Sequence, residues 1–404
     1  MINEANVKLV KEFIQALASG DLDSIRVLLA DDVIWNVAGS TNVSTVGLLN
    51  GKEQVLKWVV NFPENFKPLD FTFKDYFSNE SDVLAVGRFR HLIKSTGRIV
   101  GSNMVMKFSV KSGEISRYEI LEDSDLLNKA FDSNYNWDMQ KIKINGNIYE
   151  YEDRGIGAPI IFGHGLFMDH TIFDSQIKLL ETSFRCISFD MPGHGGSGYN
   201  KEGWTLDSLV DDLALFIEEN DLKPVTYVGQ SFGGTVGMML AAKYPELVGK
   251  LILVGTTAHA EFNDRRENWN TMRQNILTAS PSELEEIFKK VQEHTKSKVW
   301  LAKNQDKAEK ERKIMQAHKV EGLSIAIDAV VLKRKDITHI LNNIECLTTV
   351  VIGTDDTATP IELSYEIADK IPNSKLEIIK NAGHHLHIED PEAFSNIMIE
   401  VMSR

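Results

Sequence analysis

Pro224-Val225-Thr226-Tyr227-Val228-Gly229-Gln230-Ser231-Phe232-Gly233-Gly234-Thr235-Val236-Gly237 begins as a β-branched apolar run, passes through G-x-S-x-G, and continues as small and apolar residues to Ala242. That order predicts a strand, a tight turn and a helix. Ser231 falls on the turn, where its hydroxyl projects from the sheet edge. The flanking glycines remove Cβ atoms that a crowded turn would not admit. The five-residue pattern arises by chance in Gly- and Ser-rich loops. The strand before it and the helix after it are what make Ser231 a candidate nucleophile.

A serine nucleophile needs a base and an acid, sought here in the chain order Ser, acid, His. Thr348-Thr349-Val350-Val351-Ile352 reads as a buried parallel strand and runs into Gly353-Thr354-Asp355-Asp356-Thr357-Ala358-Thr359-Pro360. Lys375-Leu376-Glu377-Ile378-Ile379 reads as another strand and runs into Asn381-Ala382-Gly383-His384-His385-Leu386-His387-Ile388-Glu389-Asp390-Pro391. An acid and a histidine therefore stand at the carboxyl ends of strands, the edge where parallel α/β sheets place their chemistry.

From about Gln140 to the end the chain resembles the α/β-hydrolase superfamily. Pro159-Ile160-Ile161-Phe162-Gly163-His164-Gly165-Leu166 looks like the strand leading into an oxyanion loop. Ser188-Phe189-Asp190-Met191-Pro192-Gly193-His194-Gly195-Gly196-Ser197 looks like the D-x-x-G-x-G-x-S turn, and Gly383-His384 with Glu389-Asp390-Pro391 matches the terminal pattern. The resemblance implies an α/β fold: a mostly parallel sheet with helices on both faces and a helical cap. It implies His384 as the base and Asp356 as its acid, because G-x-x-D-x-x-x-P aligns Gly353, Asp356 and Pro360; Asp355 is the second choice. The implied oxyanion hole is the backbone N–H of Phe232 and of Leu166. His164, in the oxyanion-loop turn, is expected to be structural. His385 and His387 beside His384 suggest zinc, but no further ligand cluster at matching spacing accompanies them, so neither a metal nor a cofactor is expected. Related dehalogenases and epoxide hydrolases carry aspartate at the nucleophile position. Serine implies an acyl-enzyme, and hence a small-molecule acyl substrate.

The chain has 404 residues and a formal charge of −14, which argues against nucleic acid or an anionic membrane as partner. Cys186 and Cys346 each lie beside a predicted buried strand and read as core residues of a reducing compartment. The first residues show no signal-peptide pattern, and no apolar run reaches the ~18 residues a membrane span needs. A cytoplasmic location is expected.

The alternating Lys141-to-Tyr151 stretch around Asn145-Gly146 predicts a hairpin opening the sheet. Expected boundaries are an N-terminal domain at 1–131, a linker at 132–139, a hydrolase core at 140–257 and 342–404, and a helical cap insertion at 258–341. Trp269, Met272, Trp300 and Met315 are the cap residues expected to line a substrate cavity. Residues 1–131 read as helices followed by long strands, an α+β curved sheet wrapped on helices. They resemble the SnoaL-like, ketosteroid-isomerase-like cone superfamily through Ala16-Leu17-Ala18-Ser19-Gly20-Asp21, Ala30-Asp31-Asp32-Val33-Ile34-Trp35 and Gly113-Glu114-Ile115. Strand alternation places Val83, Ala85, Gly87, Phe89, His91 and Ile93 on one face. His91, Trp35, Asn103 and Glu119 are the candidates for the interior. The resemblance implies a ligand-binding domain or a homodimerising one.

The leading functional expectation is a serine hydrolase acting on a small carboxylic ester, thioester or lactone. Within the same family stand a cofactor-free haloperoxidase-like perhydrolase and a C–C bond hydrolase. From a different class stands a small-molecule sensor built on the hydrolase fold.

Overall fold

A computed structural model describes residues 3–132, 139–155 and 157–403. The chain divides into two compact units, Met1–Trp137 and Asp138–Arg404. Apart from Asp132 and Met139 at its ends, the expected linker lies outside the described residues. Each unit has its own apolar core, and no residue of one core cluster belongs to the other.

The N-terminal unit opens with the helix Glu4–Ser19, started by the Asn3 side chain accepting from Asn6 N–H. It is stopped at Gly20, where φ of 70° turns the chain out of the helix. Its strands are β1 (Leu29–Val37), β2 (Gly47–Asn50), β3 (Phe66–Ser78), β4 (Asp82–Ile93), β5 (Ile99–Lys111) and β6 (Glu114–Leu121). They form one sheet in the order β2-β1-β6-β5-β4-β3. Only β1 and β6 run parallel. Val83, Ala85, Phe89, His91 and Ile93 of β4 are buried, so the alternation read from sequence holds. β3 and β4 slip register at Phe73/Asp75. Gly87 sits beside that slip, where a Cβ would lie 2.2 Å from Thr72 O. A short helix, Ser124–Phe131, follows the last strand and was not anticipated from the sequence.

The second unit holds β7 (Met139–Ile144), β8 (Asn147–Arg154), β9 (Ala158–Gly163), β10 (Phe184–Phe189), β11 (Val225–Gln230), β12 (Val248–Val254), β13 (Leu347–Gly353) and β14 (Ser374–Ile379). Their order is β14-β13-β12-β11-β9-β10-β8-β7. β7 and β8 form the predicted antiparallel hairpin at one edge, with Asn145 and Gly146 at φ of 47° and 88° in its turn. From β10 to β14 the neighbouring strands are parallel. Their near-continuous Val, Ile and Leu runs are buried, as a covered parallel sheet requires.

Between β12 and β13 the chain is mostly helical: Asn263–Thr278, Pro281–Thr295, Lys298–Lys303, Gln305–Ala317 and Val320–Ile327. No helix among the described residues is long and apolar enough to cross a membrane.

Candidate active site

β11 ends at Gln230, and Ser231 follows with φ of 53° and ψ of −122° before the helix Phe232–Lys243. A side chain is strained in that conformation, so the surroundings must hold it. Ser231 N–H donates to Val254 O at 2.9 Å, and Ser231 O accepts from Thr256 Oγ1 at 2.6 Å. The glycines around the turn are sites of close approach. A Cβ on Gly229 would lie 2.3 Å from Gly233 O, and one on Gly233 would lie 2.3 Å from Gly163 O. The turn exists because neither residue has a side chain.

The loops after β13 and β14 bring Asp356 and His384 together, with His384 Nδ1 2.9 Å from Asp356 Oδ2. Asp356 Oδ1 accepts from the N–H groups of Ala358 and Thr359 at 2.9 and 2.8 Å, and Thr359 Oγ1 donates to Oδ2 at 2.7 Å. Burial pushes the Asp356 carboxyl up, but His384 and these donors outweigh it, and the pKa falls below the ordinary carboxylate value. The carboxylate is therefore ionised and holds the Nδ1 proton, which leaves Nε2 free as a base. Asp355 points elsewhere: its Oδ2 accepts from Ser297 Oγ at 3.0 Å.

Ser231, His384, Phe232 and Leu166 line one cavity of about 460 Å³. Among the described residues no hydrogen bond joins Ser231 Oγ to His384, and the backbone N–H groups of Phe232 and Leu166 have no acceptor. The Leu166 loop is held by histidines. His164 Nε2 accepts from Met191 N–H at 2.8 Å while its Nδ1 faces Gly165 O at 2.7 Å. Burial lowers the His164 pKa to about 4, so it is a neutral structural link. His194 Nε2 accepts from Phe167 N–H at 3.2 Å, and His318 Nε2 donates to Phe167 O at 3.0 Å. Phe167 itself sits at φ of 69°. His318 comes from the helical insertion, and nothing in its local sequence points to this part.

Trp269 and Met272 line the cavity, but Trp300 and Met315 do not. Trp300 is buried, with Lys296 Nζ 4.8 Å from its ring centroid. That lysine belongs to a buried cluster the sequence did not disclose. Lys296 Nζ lies 2.6 Å from Glu311 Oε2, and Glu311 Oε1 lies 3.3 Å from His385 Nδ1. Burial, followed by the Lys296 charge, lowers the His385 pKa to about 4. His387 stacks on Phe173, with ring centroids 4.6 Å apart. Among the described residues no three His, Cys, Asp or Glu side chains form a group that could hold a metal ion. Cys186 and Cys346 are free thiols.

A separate cavity of about 340 Å³ lies in the N-terminal unit, and His91 lines it. The other three candidates there are corrected. Trp35 is fully buried core, stacked on Tyr118 at 3.7 Å. Asn103 is exposed, because Met104 and Met106 take the inner face of β5. Glu119 pairs with Arg117 at 2.9 Å, between Tyr118 and Ile120, which do line the cavity. The carboxyl that reaches the cavity is Glu122, which burial pushes up to about 7. The alternation Tyr118, Ile120, Glu122, carried one step past the strand, points to it.

The family model of the alpha/beta hydrolase fold matches residues 158–391, and the model of the SnoaL-like domain matches residues 10–118. A candidate non-heme bromoperoxidase of Mycobacterium tuberculosis is 29% identical over 257 residues, which span 62% of this chain and 95% of that protein. A candidate carbamate hydrolase of Rhizobium rhizogenes is 26% identical over 252 residues, 62% of this chain and 94% of the relative. Among solved structures, a thermophilic esterase from Thermogutta terrifontis is 27% identical, with a TM-score of 0.61, over 65% of this chain and 98% of that one.

Proposed function

Because the chain belongs to the alpha/beta hydrolase fold family, we propose that it is a serine hydrolase cleaving a small carboxylic ester, thioester or lactone through an acyl-enzyme on Ser231. The observation that carries this reading is the 2.9 Å contact of Asp356 with His384, which lines the same cavity as Ser231. His384 Nε2 takes the Ser231 proton as Oγ attacks the acyl carbon, then returns it to the leaving alcohol or thiol. Ionised Asp356 stabilises the imidazolium that forms in between. The oxyanion meets the unpaired N–H groups of Phe232 and Leu166, each worth about 10²–10³ in turnover. The Phe232 amide opens a helix, whose positive end favours the developing charge. Water activated by His384 then frees the acid and restores Ser231.

The Mycobacterium relative favours a second reading within the same chemistry. If hydrogen peroxide replaces water in the second step, the acyl-enzyme is released as a peracid. Intact-mass measurement after exposure to a fluorophosphonate tests the nucleophile common to both. Wild type is expected to gain one phosphonyl adduct and Ser231→Ala none; an unlabelled wild type would remove the basis of either reading.

A further inference from the structure

Four charged side chains line the Ser231 cavity: Glu261, Arg265, Lys290 and Arg334. Two of them cancel. Arg334 Nη2 lies 3.5 Å from Glu261 Oε2, with both side chains about 10% exposed or less. Arg334 also spends its donors on His259 O at 2.9 Å and Val330 O at 3.0 Å. It is a structural cation.

Arg265 and Lys290 are different. Neither forms an ion pair with any described residue. The half-buried Arg265 donates to Ala358 O at 3.3 Å and packs over the Phe262 ring at 5.7 Å. Both contacts leave its charge uncompensated. Lys290 lies on the helix Pro281–Thr295 with Glu286 one turn earlier, a spacing at which helical Glu–Lys pairs form. It leaves Glu286 unpaired and lines the cavity instead. His294 also lines the cavity, and its pKa is lowered by burial and then by the charges of Arg265 and His384. The Arg265 charge and the His384 ring therefore act on the same stretch of wall.

The chain as a whole carries −14 and repels anions, yet this wall presents two free cations and no free acid among its charged lining residues. A half-buried guanidinium without a counter-charge, such as that of Arg265, carries a desolvation cost that an anionic occupant would offset. We propose that the substrate carries a carboxylate remote from the scissile carbonyl, received by Arg265 with Lys290 at the exposed side. The inference rests on the serine-hydrolase reading. A guanidinium accepts a carboxylate through two parallel hydrogen bonds, which orients the substrate as well as holding it. Lys290, being exposed, adds long-range attraction. The carboxylate belongs to either the acyl chain or the leaving group, and one set of probes separates the two.

The acyl side is tested with the 4-nitrophenyl monoester of adipic acid against 4-nitrophenyl hexanoate. The leaving-group side is tested with 4-(butanoyloxy)benzoate against its methyl ester. The readout is the ratio of kcat/KM for the anionic to the neutral member of each pair. In one pair wild type is expected to favour the anion by about tenfold or more, the scale of a charge-assisted contact. That preference should shrink with added salt. Arg265→Gln should abolish most of the ratio and Lys290→Gln part of it. Lys290 is exposed, so its variant keeps the fold even if the Arg265 variant does not. Turnover of the neutral esters with no anion preference in either pair would overturn the inference and leave the hydrolase reading intact. So would an anion preference that survives both substitutions. No turnover of any probe, with no fluorophosphonate label, would bring down both.

Discussion

Asp355 and Asp356 are neighbours in the chain and end in different environments. Asp356 is buried against His384 and Thr359, whereas Asp355 accepts from Ser297 and Thr354. If Asp356 fixes the tautomer of the base, Asp356→Asn should cut kcat on the order of 10³–10⁴ by stabilising the wrong imidazole tautomer. Asp355→Asn should change kcat by less than about tenfold, since it loses only a partly exposed hydrogen bond. Equal losses in the two variants, measured on one ester, would refute the assignment. Asp356 was preferred in advance on a resemblance, because the family pattern G-x-x-D-x-x-x-P aligns with Gly353, Asp356 and Pro360, with Asp355 as second choice. No comparable signal marked Arg265 and Lys290, whose neighbourhoods in sequence are ordinary charged helix positions.

Elements are joined at the site by buried polar side chains, and Asp190 at the end of β10 is the clearest example. Its carboxylate accepts from both His170 N–H and His170 Nδ1 at 2.9 and 2.8 Å, and from Gly196 N–H at 2.9 Å. A Cβ on Gly195 would lie 1.9 Å from Asp190 Oδ2, which explains the glycine run in that turn. Burial pulls the His170 pKa down, but the hydrogen bond and charge of Asp190 outweigh it and raise the value from 6.5 to about 9. A folded value above the unfolded one means that protonated His170 stabilises the fold fully below pH 6.5. That contribution drains away as pH rises through about 9. Melting temperature should therefore fall across this interval in wild type and fall less in His170→Gln. Parallel curves would show that the pair carries no such linkage. Element type and order were largely readable, because strand alternation and helix capping are short-range properties. Which insertion side chains reach the cavity was not readable: Trp269 and Met272 line it, whereas Trp300 and Met315 are buried elsewhere.

On the scale of the molecule, two apolar cores that share no residue predict independent folding. A protein of residues 139–404 should be soluble, unfold cooperatively, and take up one fluorophosphonate at Ser231. An aggregated product would mean that the first unit completes the core of the second. The chain by itself determined two folds in series, the elbow at Ser231 and the strand-end pair Asp356 and His384. The strands, helices and elbow rest on backbone sterics and side-chain periodicity within a few residues, and the choice of Asp356 and His384 on the family resemblance. Tertiary structure alone decided what surrounds them. The Lys296–Glu311–His385 cluster spans contacts up to 74 residues apart, and the free cations on the cavity wall depend on which acids fold within reach. Packing brings such groups together or leaves them unpaired across long loops, and no local pattern encodes that outcome.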